Sequence, residues 1–137
     1  MTGVPTAVPE PMRRVGRMSL ALPDTSVKPS QGALSYQVRG KTFSTVLHDH
    51  HGSGRTELWV KASPGAQAEW VAGNGDGYFV PPYVGANGWI GAFLDIDAVD
   101  WPAIAELLVD GYLVQSGARA ADRQDPAALL ADALAAG

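Results

Sequence analysis

Apolar residues recur at two different periods along this chain, and the changes of period divide it into segments. Met12, Val15, Met18 and Leu22 stand three or four residues apart, which lines one face of a helix, and Pro23 stops that helix. From Ala33 to Val38 and from Thr42 to Leu47 the period drops to two. Leu34, Tyr36 and Val38 fall on one face of the first run, and Phe43, Thr45 and Leu47 on one face of the second. Arg39-Gly40-Lys41 between them is a short Gly-centred link that predicts a β-hairpin. Glu57 to Lys61 adds a third strand, and a three-stranded antiparallel meander is the simplest arrangement.

Turn chemistry places the other elements. Residues 1–9, with two prolines and no charge, read as a flexible leader without structural role, and residues 24–32, rich in Pro, Ser and Thr, as a connection. Ser63 and Pro64 predict a short helix, N-capped by Ser63 and anchored by Trp70 and Val71, that runs to about Ala72. Gly73 to Gly77 is a turn. Tyr78-Phe79-Val80 is strand-like until Pro81-Pro82, and Trp89 to Leu94 is a further strand. Asp100 and Pro102 open a helix from Trp101 to about Val114 that buries Ile104, Leu107, Leu108 and Tyr112. Residues 116–124 read as a polar connection. Asp125-Pro126 caps a last, alanine-rich helix that is expected to fray.

These elements predict an α+β fold, an antiparallel β-sheet packed against helices, in one domain over residues 10–116, with a leader at 1–9 and a connection plus helix at 117–137. A length of 137 residues suffices to bury a core without staples. The absence of cysteine excludes a disulfide framework, a thiolate zinc site and a cysteine nucleophile, and fits the cytoplasm; a monomer is expected. No apolar run approaches the length of a membrane span. Arg13-Arg14 and the short run that follows, ended by Pro23-Asp24, fall short of an export signal.

Charge changes the picture more than composition does. The net charge is −4, but residues 1–61 hold eight basic and four acidic groups, while residues 62–137 hold two basic and ten acidic ones. Such asymmetry can mark a face for an anionic partner.

Candidate chemistry is sparse. His48-Asp49-His50-His51 offers metal-ligand types, but adjacent ligands in one loop converge poorly on one ion and no supporting ligand set is present. Asp95, Asp97 and Asp100 lack the ligand order of a calcium loop. Gly73 to Gly77 lacks the Lys and Ser/Thr of a phosphate loop. Ser35, Ser44 and Ser63 have no nucleophile-elbow context, and the histidines are confined to one loop. Glu57, Glu69 and Glu106 remain open as an acid–base pair that only proximity in space would make. No catalytic site, metal or cofactor is therefore expected. Trp59, Trp70, Tyr78, Phe79, Tyr83 and Trp89 crowd the middle of the chain, where core packing explains most of them and Tyr83 least. Aromatics beside Arg39, Lys41 and Lys61 can stack on bases or on a planar ligand, which makes Arg39, Lys41, Lys61, Tyr83 and Trp89 the candidate binding residues.

Four stretches carry a resemblance: Ala21-Leu22-Pro23, Tyr36 to Phe43, Leu58-Trp59-Val60-Lys61, and Tyr83-Val84-Gly85 through Gly88-Trp89-Ile90. With the order of elements, they resemble the MmcQ/YjbR-like family over about residues 11–115. The V-R-G-K-x-F hairpin and the Tyr-x-Gly-x-x-Gly-Trp loop are the most specific parts. The resemblance implies a frataxin-like α+β layout and a non-enzymatic module that binds DNA or regulates. A planar metabolite is the alternative ligand, since the family's name comes partly from a natural-product pathway. The histidine loop and the tail depart from the family pattern, and the acidic net charge works against tight binding to a duplex.

Overall fold

A computed structural model describes residues 8–30, 32–73 and 77–137, with His51 described by its backbone alone. In chain order the elements are α1 (Glu10–Leu20), β1 (Thr25–Ser30), β2 (Ala33–Val38), β3 (Lys41–His48), β4 (Thr56–Val60), α2 (Ala66–Gly73), β5 (Tyr78–Phe79), β6 (Ile90–Phe93), α3 (Trp101–Ser116), α4 (Ala118–Asp122) and α5 (Pro126–Ala136). The strands form one antiparallel sheet in the order β1-β2-β3-β4-β6-β5.

The stripe of α1 is buried as its spacing predicts, with Met12, Val15, Met18 and Leu22 all in the core. It meets Leu34, Tyr36 and Val38 from β2, and Ile104, Leu107, Leu108 and Tyr112 from α3. Asp100 accepts a hydrogen bond from the Ala103 amide at 3.1 Å, and Asp125 one from Ala127 at 3.1 Å, so both predicted caps form. Among the described residues, no helix is long and apolar enough to cross a membrane.

Five local expectations are corrected. Residues 25–30 are a strand, paired along β2 from Thr25↔Val38 to Ser30↔Ala33, which makes the meander four-stranded. Its prolines and serines hide the pattern, but Pro29 is tolerated because β1 is an edge strand. The faces of β3 are also re-sorted. Tyr36 pairs with Ser44 but Gln37 with Thr42, so Phe43 is the extra residue of a bulge. Phe43 and Val46 therefore join the core, while Thr45 and Leu47 turn to the opposite face. The predicted cap at Ser63 does not form. α2 begins at Ala66, and the Ser63 hydroxyl and amide both donate to Asp110 of α3. Residues 118–122 of the expected connection are helical. The last helix packs instead of fraying: Leu129 and Ala133 are fully enclosed, in one core with α1 and α3. In the expected leader, Val8 packs against the core, and residues 1–7 lie outside the described residues, as do positions 74–76 of the expected turn.

Among the described glycines, Gly111 makes the closest approach to another segment's backbone. A Cβ there would lie 2.5 Å from the Lys61 carbonyl oxygen, 2.9 Å from Val60 Cγ2 and 3.2 Å from the Phe43 carbonyl oxygen. α3 thus rests on the backbone of the β3 and β4 ends, with no room for a side chain.

The face of the sheet away from the helices is closed by its own side chains. Phe79 lies over Gly91 and stacks on Phe93 at 4.5 Å, and the Arg55 guanidinium sits 3.9 Å above the Phe93 ring. Arg55 holds Asp95 by two hydrogen bonds of 2.9 and 2.8 Å, and Asp95 also accepts the Thr56 amide. Trp59 donates to Glu57 at 2.9 Å, packs edge-on to His50 at 5.5 Å, and is only 7% exposed.

Two predictions follow from these contacts. Alanine favours a helix over glycine by about 1 kcal/mol, but at position 111 it would strike two backbone carbonyls that cannot rotate away. G111A is therefore expected to lose about 2 kcal/mol net in urea unfolding; an unchanged or raised midpoint would refute the close approach. The Arg55 guanidinium holds the Asp95 carboxyl at about 2, below its ordinary 3.8. A pKa depressed by folding adds stability that is full above the unfolded value and vanishes as pH falls from about 4 through 2. Since the pair is partly open to solvent, D95N is expected to cost about 1 kcal/mol at neutral pH and almost nothing at pH 2, measured by unfolding at each pH.

Candidate functional site

Antiparallel order decides which residues share an end of the sheet. The end where β2 finishes and β3 starts is also where β4 finishes, β6 starts and β5 finishes. Arg39 and Lys41 at the β2–β3 turn, Lys61 just past β4, Trp89 just before β6 and Tyr83 in the loop after β5 are thereby brought to one end. Arg39 and Lys41 are exposed, Lys61 and Trp89 half-buried, and Tyr83 is 77% exposed.

Local backbone fixes this placement. Val38 pairs with Lys41 across a two-residue turn in which Arg39 has φ 53° and Gly40 φ 83°. Two positive φ values suit the twist of a tight hairpin, and Asn or Gly fills the first position more easily than Arg. Tyr83, at φ 66°, is likewise a large side chain in the left-handed region. Lys61 donates to the Asn87 carbonyl at 2.9 Å, and Gln67 Nε2 donates to the carbonyls of Gly85 and Trp89 at 2.8 and 2.7 Å. These bonds pin the loop that carries Tyr83 and Trp89. The hairpin is held from the other side, where Gln115 Nε2 of α3 donates to the Thr42 carbonyl at 2.8 Å.

The remaining charges make this end distinct. Of the ten Lys and Arg residues, Arg13 and Arg17 pair with Glu10, Arg55 pairs with Asp95, and Arg14 lies 4.3 Å over the Trp101 ring. Lys28 lies on β1. The other five, Arg39, Lys41, Lys61, Arg119 and Arg123, converge on the end just described. Arg39, Lys41 and Arg119 line one cavity of about 460 Å³, and Arg39 and Arg123 an adjoining one of about 160 Å³ that Asp24 also borders. No ion pair engages any of these five among the described residues. Arg119 and Arg123 escape the sequence reading, where they fall in a polar connection; their four-residue spacing across a short helix was the available signal.

The other candidates disperse. His48 Nδ1 bonds the Thr56 hydroxyl at 2.9 Å, Asp49 accepts the Gly54 amide at 2.7 Å and His50 packs on Trp59, while the His51 side chain lies outside the described residues. Asp95 and Asp100 are committed to Arg55 and to the α3 cap. Glu57 is bonded to Trp59 on the outer face of the sheet, and Trp70 packs on Tyr78 at 5.2 Å.

The hairpin, the third-strand run and the pinned Tyr83–Trp89 loop all fall within the residues 20–114 that match the family model described as YjbR. The chain belongs to the YjbR family. A comparison with curated proteins found no match. The family match takes in Arg39, Lys41, Lys61, Tyr83 and Trp89 but stops short of Arg119 and Arg123, so part of the basic end lies beyond it. The bond from Gln115 is one tie between the hairpin and the end of α3 from which that part continues. Q115A is expected to cost about 1 kcal/mol and to speed amide exchange selectively at residues 39–42; uniform exchange changes, or none, would show that the hairpin is held otherwise.

Proposed function

We propose that this chain is a non-enzymatic DNA-binding or regulatory module whose contact surface is the basic end of the sheet. One observation carries this reading: five of the ten basic side chains gather at that end, unpaired by carboxylates among the described residues, in a protein of net charge −4. Phosphate contacts supply most of the affinity of such a surface, and a chain that is acidic elsewhere is steered to present this face alone. Tyr83 and Trp89, beside Lys61, add aromatic faces on which unpaired bases can stack. The acidic side chains with assigned partners serve as caps, clips and loop ties, which supports binding over catalysis. The planar-metabolite reading has less support, because the cavity that Tyr78 and Phe93 line holds about 220 Å³, below the usual size of a ligand site, while the cavity of about 460 Å³ at the basic end has no aromatic side chain in its lining.

About four phosphate contacts would give a slope of log affinity against log salt of roughly −3 on single strands and −4 on duplex. Anisotropy titrations with random single-stranded and duplex DNA are expected to show micromolar binding with such a slope at low salt. K61Q should flatten it by about 0.7 to 0.9. Absence of salt-sensitive binding to either form at micromolar protein would overturn the proposal.

A further inference from the structure

The cavity between the hairpin tip and the α3–α4 junction is charged more strongly than its structural setting requires. Arg39, Lys41 and Arg119 line it, together with Gln115, Ser116 and Gly117. The C-terminus of α3 points here, and a helix end carries only about half a negative charge. Three cations exceed what that dipole can offset. Asp24, the carboxylate of the adjoining cavity, faces Arg123 as well as Arg39.

The neutral donors of the wall are largely used. Gln115 Nε2 is bonded to the Thr42 carbonyl and the Ser116 hydroxyl to the Tyr112 carbonyl at 2.6 Å. Apart from the second N–H of Gln115, the side-chain donors that line the space are two guanidinium forks and one ammonium. Gly117, at φ 87°, has nothing within 4 Å of where a Cβ would stand, so the floor between the α3 end and Arg119 stays open.

We propose that this cavity is a site for a phosphomonoester, a terminal phosphate and not a backbone linkage. This rests on the nucleic-acid reading for its main source of ligand. A diester bears one negative charge and would leave two of the three cations uncompensated. A terminal phosphate carries about −1.5 to −2 and three acceptor oxygens, which two guanidinium forks and an ammonium can meet together. Position points the same way. Trp89, Lys61, Lys41 and Arg39 follow the order β6, β4, β3, β2, three strand spacings or about 14 Å. A strand of two or three nucleotides lying along that row, with a base on Trp89, ends at the cavity. Arg119 lies outside the residues that match the family, so the site joins the family's hairpin to this chain's own C-terminal part.

The test uses the full chain and hexathymidylate with a 5′-phosphate, a 3′-phosphate or neither, measured by anisotropy at low salt, with deoxythymidine monophosphate and inorganic phosphate as competitors. One terminal phosphate is expected to tighten binding about tenfold, in keeping with charge-assisted hydrogen bonds. R39Q/R119Q should abolish that difference, whereas K61Q should weaken all three oligonucleotides alike; the side chains of Arg39 and Arg119 are exposed, so folding is not at stake. Equal binding of the three oligonucleotides would overturn the phosphomonoester site and leave the DNA reading standing. Competitive binding of the mononucleotide, with no gain from a longer strand, would uphold the site and overturn the DNA reading, and inorganic phosphate competing equally well would make free phosphate the source. No binding of any probe at millimolar concentration would overturn both.

Discussion

The close approach of α3 to the sheet at Gly111 is the contact on which the rest of the molecule depends. Around that one missing side chain, consecutive turns of α3 are stitched to three different parts of the chain. Asp110 takes both donors of Ser63, Tyr112 packs edge-on to Phe43 at 5.7 Å and bonds the Pro23 carbonyl at 2.7 Å, and Gln115 holds Thr42. A glycine inside a helix lowers its intrinsic stability. Here it is offset by the packing of a helix directly on strand backbone, where dispersion acts at short range and a methyl group would force the layers apart. Because α3 cannot shift, its C-terminus and the hairpin tip keep a fixed relation, and the basic cavity exists only as the space between them.

Charge in this protein is sorted by whether it has a structural partner. Glu10 bridges two arginines of α1, and Asp95 clamps Arg55 over the aromatic outer face of the sheet. These pairs serve folding. The cations at the other end of the sheet have no such carboxylates, and two of the residues there, Arg39 and Tyr83, occupy backbone conformations that smaller residues adopt more easily. Such placements persist where the surroundings over-determine them, and here the two-residue hairpin and the loop tied down by Lys61 and Gln67 do so.

The sequence resolved the α1 stripe, the β2–β3 hairpin, the separate strands around Trp59 and Ile90, and the Asp100 and Asp125 caps, because each depends on near neighbours in the chain. β1 was illegible. Its serines and proline are those of a loop, and only pairing with β2 makes an edge strand of them. The bulge at Phe43 was equally hidden, since a register shift follows from what packs on either side and not from the local pattern. The five candidate binding residues were readable by their types, basic and aromatic, but Arg119 and Arg123 were not, as they reach the hairpin only because α3 turns the chain back to it.

The sequence by itself determined the α+β class, the family, and the absence of thiol chemistry, all consequences of residue type and short-range spacing. Tertiary structure alone decided that half of the basic side chains meet at one end of the sheet and that, among the described residues, no carboxylate forms an ion pair with them. The physical reason is topological. In an antiparallel sheet alternate strand ends coincide, so residues as distant in sequence as Arg39, Lys61, Trp89 and Arg119 become neighbours through strand order and the docking of one helix, neither of which is written in any local period.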